Sequence, residues 1–287
     1  TSRLITVSSN AYFTREIFKS IFPDGAVTTE PIGVIMQAVK NGSPSGELFH
    51  LFGDPGMPLA LPHQTVSLTN ISPDTLLTLD TARVSGTQNI ISGGSGLGFI
   101  ALRDAERPVT REYIINSTQQ ELSYTLPGGT LFKGQFSFNG SAFNTLLRVP
   151  KDISYSDATG TINVYMVFEG DPIQEALGTL ANIALAGGVP VPDIVGPIIS
   201  FENETGRQIR RGDHLSASEP LYLRLSDPLG INLTGEVGHE IMITDLVAAV
   251  ESDITHLFLY EKNSITTGKI ALADLANNEE IEIHVKA

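Results

Sequence analysis

The sequence predicts a mixed fold: a truncated α/β piece over residues 1–62, then two all-β sandwich domains over 63–189 and 190–287. Three observations carry this. Before the stretch Leu48 to Pro62 the apolar residues recur at helical spacing, and after it they alternate. The alternating runs are short and divided by turn clusters, the pattern of antiparallel sandwiches. A proline-rich run, Val189 to Pro197, splits the β part in two.

In chain order, Ser2 to Ser9, with Leu4, Ile5 and Val7, reads as a strand. Asn10 is placed to cap a following helix, since its side-chain oxygen accepts a free backbone N–H at a helix start. Phe13, Ile17 and Ile21, with Phe18 and Phe22 beside them, make one apolar helix face that ends at Pro23-Asp24-Gly25. A second helix has Thr29 as cap, Pro31 at its first position, apolar Ile32, Ile35, Met36 and Val39, and Gly42 as terminator. Leu48 to Phe52 is a short apolar run expected to be a buried strand. Gly53, Asp54, Pro55 and Gly56 break it, and Pro55, Pro58 and Pro62 stiffen the connector that follows. Two apolar helices and two short strands need a sheet to cover. The expectation is therefore that the fold of residues 1–62 starts upstream of Thr1.

From Gln64 onward the period is two. Val66 and Leu68, Leu77 and Leu79, Leu122 to Leu126, and Phe132, Phe136 and Phe138 alternate, and Ala142 to Val149 and Thr161 to Phe168 also read as strands. Asn139-Gly140 between aromatic runs is a hairpin signal. Asp171 to Gly196 is ambiguous, because Ile173, Leu177, Leu180 and Ala184 suit a helix face while Gly178, Gly187 and Gly188 oppose one. Beyond it, Ile198 to Phe201, Leu221 to Leu225, His239 to Ile243, Leu257 to Tyr260, Thr267 to Leu272 and Glu280 to Val285 are expected strands.

Composition narrows the chemistry. A net charge of −14 excludes nucleic acid as a partner, because phosphate contacts need clustered Lys and Arg. There is no cysteine, hence no thiol nucleophile, thiolate metal site or disulfide. No apolar run reaches the roughly 20 residues of a membrane-spanning helix. No His-x3-His pair with a metalloprotease Glu and no Gly-x-Ser-x-Gly elbow occurs. The glycines from Gly93 to Gly98 miss the dinucleotide fingerprint by spacing and read as a flexible loop. Asp227, Asn232, Glu236 and Glu240 could offer oxygens to calcium if their loop folds back, although turn-forming acids fit the spacing better. Arg211-Gly212-Asp213 matches an integrin ligand in three letters, and Asp74-Thr75-Leu76 and Asp80-Thr81-Ala82 match O-glycan acceptor triplets. None of these builds an active site, and no catalytic or cofactor-binding residue is assigned.

Longer strings carry a resemblance. Phe49 to Pro55, ending Leu51-Phe52-Gly53-Asp54-Pro55, resembles the Leu-Leu-Gly-Asp-Pro signature closing the caspase-like catalytic domain of gingipain-type cysteine peptidases, with Phe52 in place of Leu. Thr1 to Asn10, followed by Phe18 to Phe22, resembles that domain's last strand and helix. Gly134 to Tyr165, with Val149-Pro150-Lys151-Asp152-Ile153 and Gly160-Thr161-Ile162, looks like the immunoglobulin-like sandwich that follows it in that family. Leu225-Ser226-Asp227, Gly230-Ile231-Asn232 and Gly238-His239-Glu240-Ile241 look like the second sandwich of the family's type IX secretion sortase-like member, with Glu240 where Asp is usual.

The resemblance implies a caspase-like C-terminal piece followed by two immunoglobulin-like sandwiches. Gly53, Asp54, Pro55, Gly238 and His239 would then be structural signature residues. The family's catalytic His and Cys lie upstream of the matching segment, so this polypeptide should have no peptidase activity of its own. The parent would cleave C-terminal sorting domains from protein cargo at the outer membrane or cell surface of a Gram-negative bacterium. Its partners would be the missing N-terminal peptidase part, the cargo and an outer-membrane secretion component. The alternative is a surface adhesin or glycan-binding sandwich, which the absence of tryptophan disfavours.

Overall fold

The computed structural model describes residues 7–23, 27–43, 46–89, 94–115, 117–154, 158–170, 173–189, 191–192, 195–214, 216, 219–235, 238–245, 250–272 and 283–286. Helix α1, Val7–Ile21, starts where a strand was expected and takes Asn10 inside it rather than as its cap; residues 1–6 lie outside the described set. Helix α2, Ile32–Asn41, begins as the sequence indicates, but Pro31 occupies the cap position and no side chain caps it. Phe13, Ile21, Ile35 and Val39 are buried where the two helices meet.

The expected buried strand at Leu48 to Phe52 does not form. Gly46–Leu48 is a single 3₁₀ turn, Phe49 stacks on Phe13 with ring centroids 3.7 Å apart, and Phe52 stands 93% exposed. Five residues cannot earn a strand's hydrogen bonds without a neighbouring strand, and none is described beside them.

The remainder is β. Its strands are β1 (Gln64–Ser72), β2 (Thr75–Leu77), β3 (Thr81–Gln88), β4 (Ser95–Arg103), β5 (Arg107–Ile115), β6 (Thr118–Leu126), β7 (Thr130–Asn139), β8 (Ala142–Arg148), β9 (Gly160–Phe168) and β10 (Gln174–Ala186). These are followed by β11 (Ile198–Asn203), β12 (Gln208–Ile209), β13 (Leu221–Ser226), β14 (Met242–Asp245), β15 (Val250–Asp253), β16 (Leu259–Tyr260), β17 (Thr267–Ala271) and β18 (Ile283–Lys286). One layer runs β7-β4-β9-β10 and the other β1-β3-β8. They join where Gln64 and Thr65 pair in parallel with Ala176 and Leu177. Phe136 of β7 stacks on Phe143 of β8 at 5.2 Å, closing the space between the layers.

Three sequence expectations change here. Asn139-Gly140 is not a hairpin turn: β7 pairs with β4 and β16, and β8 pairs with β3, so the turn carries the chain between layers. A turn dipeptide specifies reversal of the chain but not which strand it then pairs with. The ambiguous segment from Asp171 is the long strand β10. A bulge between Leu180 and Ile183 shifts the inward positions from 176 and 178 to 183, and that phase change imitates helical spacing. Gly96 and Gly98 lie inside β4 rather than in a loop. A Cβ on Gly98 would fall 2.2 Å from the ring of Phe136, and one on Gly96 2.0 Å from Val167 O of β9 and 2.8 Å from Phe138, so these glycines make room for the neighbouring backbone and the aromatic row of β7.

Beyond residue 197, β11, β12, β13, β17 and β16 extend the same sheet through Tyr260 of β16, which pairs in parallel with Gly134 of β7. Strands β15-β14-β18 form a separate three-stranded sheet. His239 to Ile241 are not part of β14, and Leu257 closes a 3₁₀ turn ahead of β16. Buried side chains from Val66 to Leu272 make one continuous apolar cluster, and Phe132 stacks on Tyr260 at 4.6 Å where the two halves meet. The chain is thus mostly β, with two helices among the described residues.

Candidate functional site

After Gly53, the residues Asp54, Pro55 and Met57 form a backbone clamp on α2. Asp54 Oδ1 accepts the N–H of Gly56 at 2.8 Å, which curls the segment so that its carbonyls face the helix start. The N–H of Gly33 donates to Pro55 O at 2.9 Å and that of Ile32 to Met57 O at 3.0 Å. Two of the helix's free N–H groups are satisfied by this segment in place of a capping side chain. Gly33 is required, because its Cβ would lie 2.6 Å from Pro55 O. Phe18 and Phe22 of the first helix region, Val34 of α2, and Leu51, Phe52 and Met57 of the clamp segment are exposed large apolar side chains.

Three of the sequence-stretch motifs meet at one carboxylate. Asp152 Oδ2 accepts the Asn232 side-chain amide at 3.0 Å and lies 3.4 Å from His239 Nε2. Asp152 follows β8, whereas Asn232 and His239 belong to loops of the second half, so the cluster ties the halves together. Asp152 and His239 are both substantially exposed.

The candidate calcium residues are engaged in local turns. Asp227 Oδ1 accepts Leu229 N–H at 2.6 Å, Asn232 Oδ1 accepts Thr234 N–H at 3.0 Å, and Glu240 Oε2 accepts Gly238 N–H at 2.7 Å. Glu236 lies outside the described residues. Among the described residues no three His, Asp or Glu side chains gather at metal-binding distance. Asp213 of the Arg-Gly-Asp triplet accepts Arg210 N–H at 3.0 Å within its own turn. Beside Asp227, the Tyr260 hydroxyl accepts Ile231 N–H at 2.5 Å and donates to Ile231 O at 3.2 Å, and burial pushes its ionisation far above the ordinary tyrosine range.

One surface was read only in part: the sequence marks Leu122 to Leu126 as a strand but not its partner. Strands β5 and β6 pair only with each other, in a ribbon that stands clear of both layers. The register puts Val109, Tyr113, Leu122 and Tyr124 on one face with Arg107 and Arg111, and Thr110, Glu112, Glu121 and Ser123 on the other. Tyr113, Leu122 and Tyr124 are exposed. The alternation of Val109, Tyr113 and Ile115 was the available signal, obscured by arginine and glutamate at the positions between.

No protein-family model matches the chain, and no curated protein matches it. Among solved structures it is similar to dimeric latent PorU from Porphyromonas gingivalis, at 23% identity and a TM-score of 0.46, over 94% of this chain and 28% of that one. It is also similar to Spo0M, a sporulation control protein from Bacillus subtilis, at 8% identity and a TM-score of 0.24, over 57% of this chain and 66% of that one. The chain therefore spans less than a third of the length of the PorU chain.

Proposed function

We propose that this chain is the non-catalytic C-terminal portion of a gingipain-like cysteine peptidase of the type IX secretion sortase kind. Residues 1–62 complete a caspase-like catalytic domain, and the β portion holds that domain against protein partners at the surface of a Gram-negative bacterium. The observation that carries this reading is the set of exposed large apolar side chains on the helix pair and the clamp segment. Phe18, Phe22, Val34, Leu51, Phe52 and Met57 are many large apolar side chains to leave in water over so short a segment, and a sheet supplied by upstream sequence is their natural cover. The order of motifs along the chain supports the same assignment. The exposed β5–β6 ribbon supplies an amphipathic surface for protein contact.

The experiment joins the chain to the peptidase segment encoded ahead of it. Alone, the chain should bind a hydrophobic dye through the helix pair and hydrolyse no peptide substrate. Joined, dye binding should fall, and hydrolysis should depend on a His and a Cys of the upstream segment. A dye-silent chain, or hydrolysis by the chain alone, overturns the reading.

A further inference from the structure

Where β7, β16, β17 and β13 meet, their outward face carries a groove of about 590 Å³. That volume lies within the roughly 300–1,000 Å³ usual for ligand sites. Leu257, Leu259 and Ala271 give it an apolar lining, and Gln135, Glu261, Lys262 and Lys269 its charged and amide groups. Leu257 is 47% exposed, an apolar side chain left in water.

The charge around the groove runs against that of the molecule. The chain carries a net −14 and has only seven lysines, yet Lys262 and Lys269 line the groove. A third, Lys133, lies two residues before Gln135 on the same face of β7, with its Nζ 3.5 Å from His256 O. The acid in the lining, Glu261, already sits 3.8 Å from both Arg224 and Lys269. Lys262 has no hydrogen-bond or ion-pair partner among the described residues. A cationic rim over an apolar floor suits a ligand that alternates carboxylates with apolar side chains. A sugar ring fits less well, because the aromatic platform it would stack on is occupied: Lys269 Nζ stands 4.9 Å from the centroid of the Tyr222 ring.

We propose that this groove binds an extended acidic peptide bearing apolar side chains between its carboxylates. The groove belongs to the β portion, so the proposal stands apart from the peptidase reading. The probe is the peptide acetyl-Leu-Glu-Leu-Asp-Leu-amide, titrated calorimetrically into the 287-residue chain. Its basic counterpart, with Lys for Glu and Asp, and a sulfated disaccharide serve as comparison ligands. Saturable binding of the acidic peptide is expected, weakened about fivefold or more in Lys262→Glu and in Lys269→Gln and retained in Lys262→Arg. Both lysines are exposed, so the thermal midpoint should not move. The proposal is overturned by absence of saturable binding, by equal binding of the basic peptide, by preference for the sulfated disaccharide, or by unchanged affinity in both lysine variants.

Discussion

The tightest single-residue commitment in the molecule is Tyr260, fully buried, with its hydroxyl bridging both backbone groups of Ile231. Tyr260→Phe keeps the ring stacked on Phe132 but leaves a buried N–H and C=O without a partner. The expected loss is about 1–3 kcal/mol of unfolding free energy, the usual cost of such orphaned groups, read from urea denaturation. A loss below about 0.5 kcal/mol would mean the Ile231 backbone finds another partner. Asp253 makes the residue-scale case for pH. The Thr255 hydroxyl, and then its backbone N–H, hold the Asp253 carboxyl below the usual aspartate range. A carboxyl lowered in the folded state stabilises above its unfolded value, about 3.9, and that contribution is lost as pH falls through the folded value. The urea midpoint of the native chain should therefore exceed that of Asp253→Asn at pH 7 and converge with it below about pH 4. A gap that persists into acid would locate the effect elsewhere.

At the scale of elements, β4 and β7 are shaped to each other by absent side chains. Phe136 is completely buried, and an alanine Cβ at position 98 would meet its ring at 2.2 Å. Gly98→Ala should cost about 1–3 kcal/mol from overpacking, and Phe136→Leu in the same chain should recover part of it. Additive losses in the double variant would show that the two positions are not coupled. The period-two strands β7, β8, β9 and β13 were legible because each buries one face, so alternate residues had to be apolar. The bulged strand β10 was not, because one inserted residue reverses its phase. In the β5–β6 ribbon, which buries neither face fully, the alternation of Leu122, Tyr124 and Leu126 marked β6, whereas β5 carried too weak a pattern to be read.

At the scale of the whole molecule, the run from Val189 to Pro197 looks in sequence like a linker between two sandwiches. Sheet and core nonetheless continue across it through the β7–β16 pairing, the Phe132–Tyr260 stack and the Asp152 cluster. Residues 64–272 are therefore expected to unfold as one calorimetric transition, with van't Hoff and calorimetric enthalpies in agreement. Proteolytic cutting within 189–197 should leave the two pieces associated under native conditions. Two separated transitions, or pieces that part on gel filtration, would show that the junction contributes little.

By itself the sequence determined the change from helical to alternating period near Pro62, the two helices, the positions of most strands, and the lack of any thiol chemistry. These follow from local pattern and composition, which need no knowledge of neighbours. Only the tertiary structure decided which strands pair, that Asn139-Gly140 passes between layers, and that Asp152, Asn232 and His239 converge. It also decided that Lys262 and Lys269 line one groove with Gln135 of the distant strand β7. Pairing and convergence join residues as far apart as Asp152 and Asn232, 80 positions, or Ser137 and Asn263, 126 positions, and the free energy that selects them lies in packing between elements, which no single segment records.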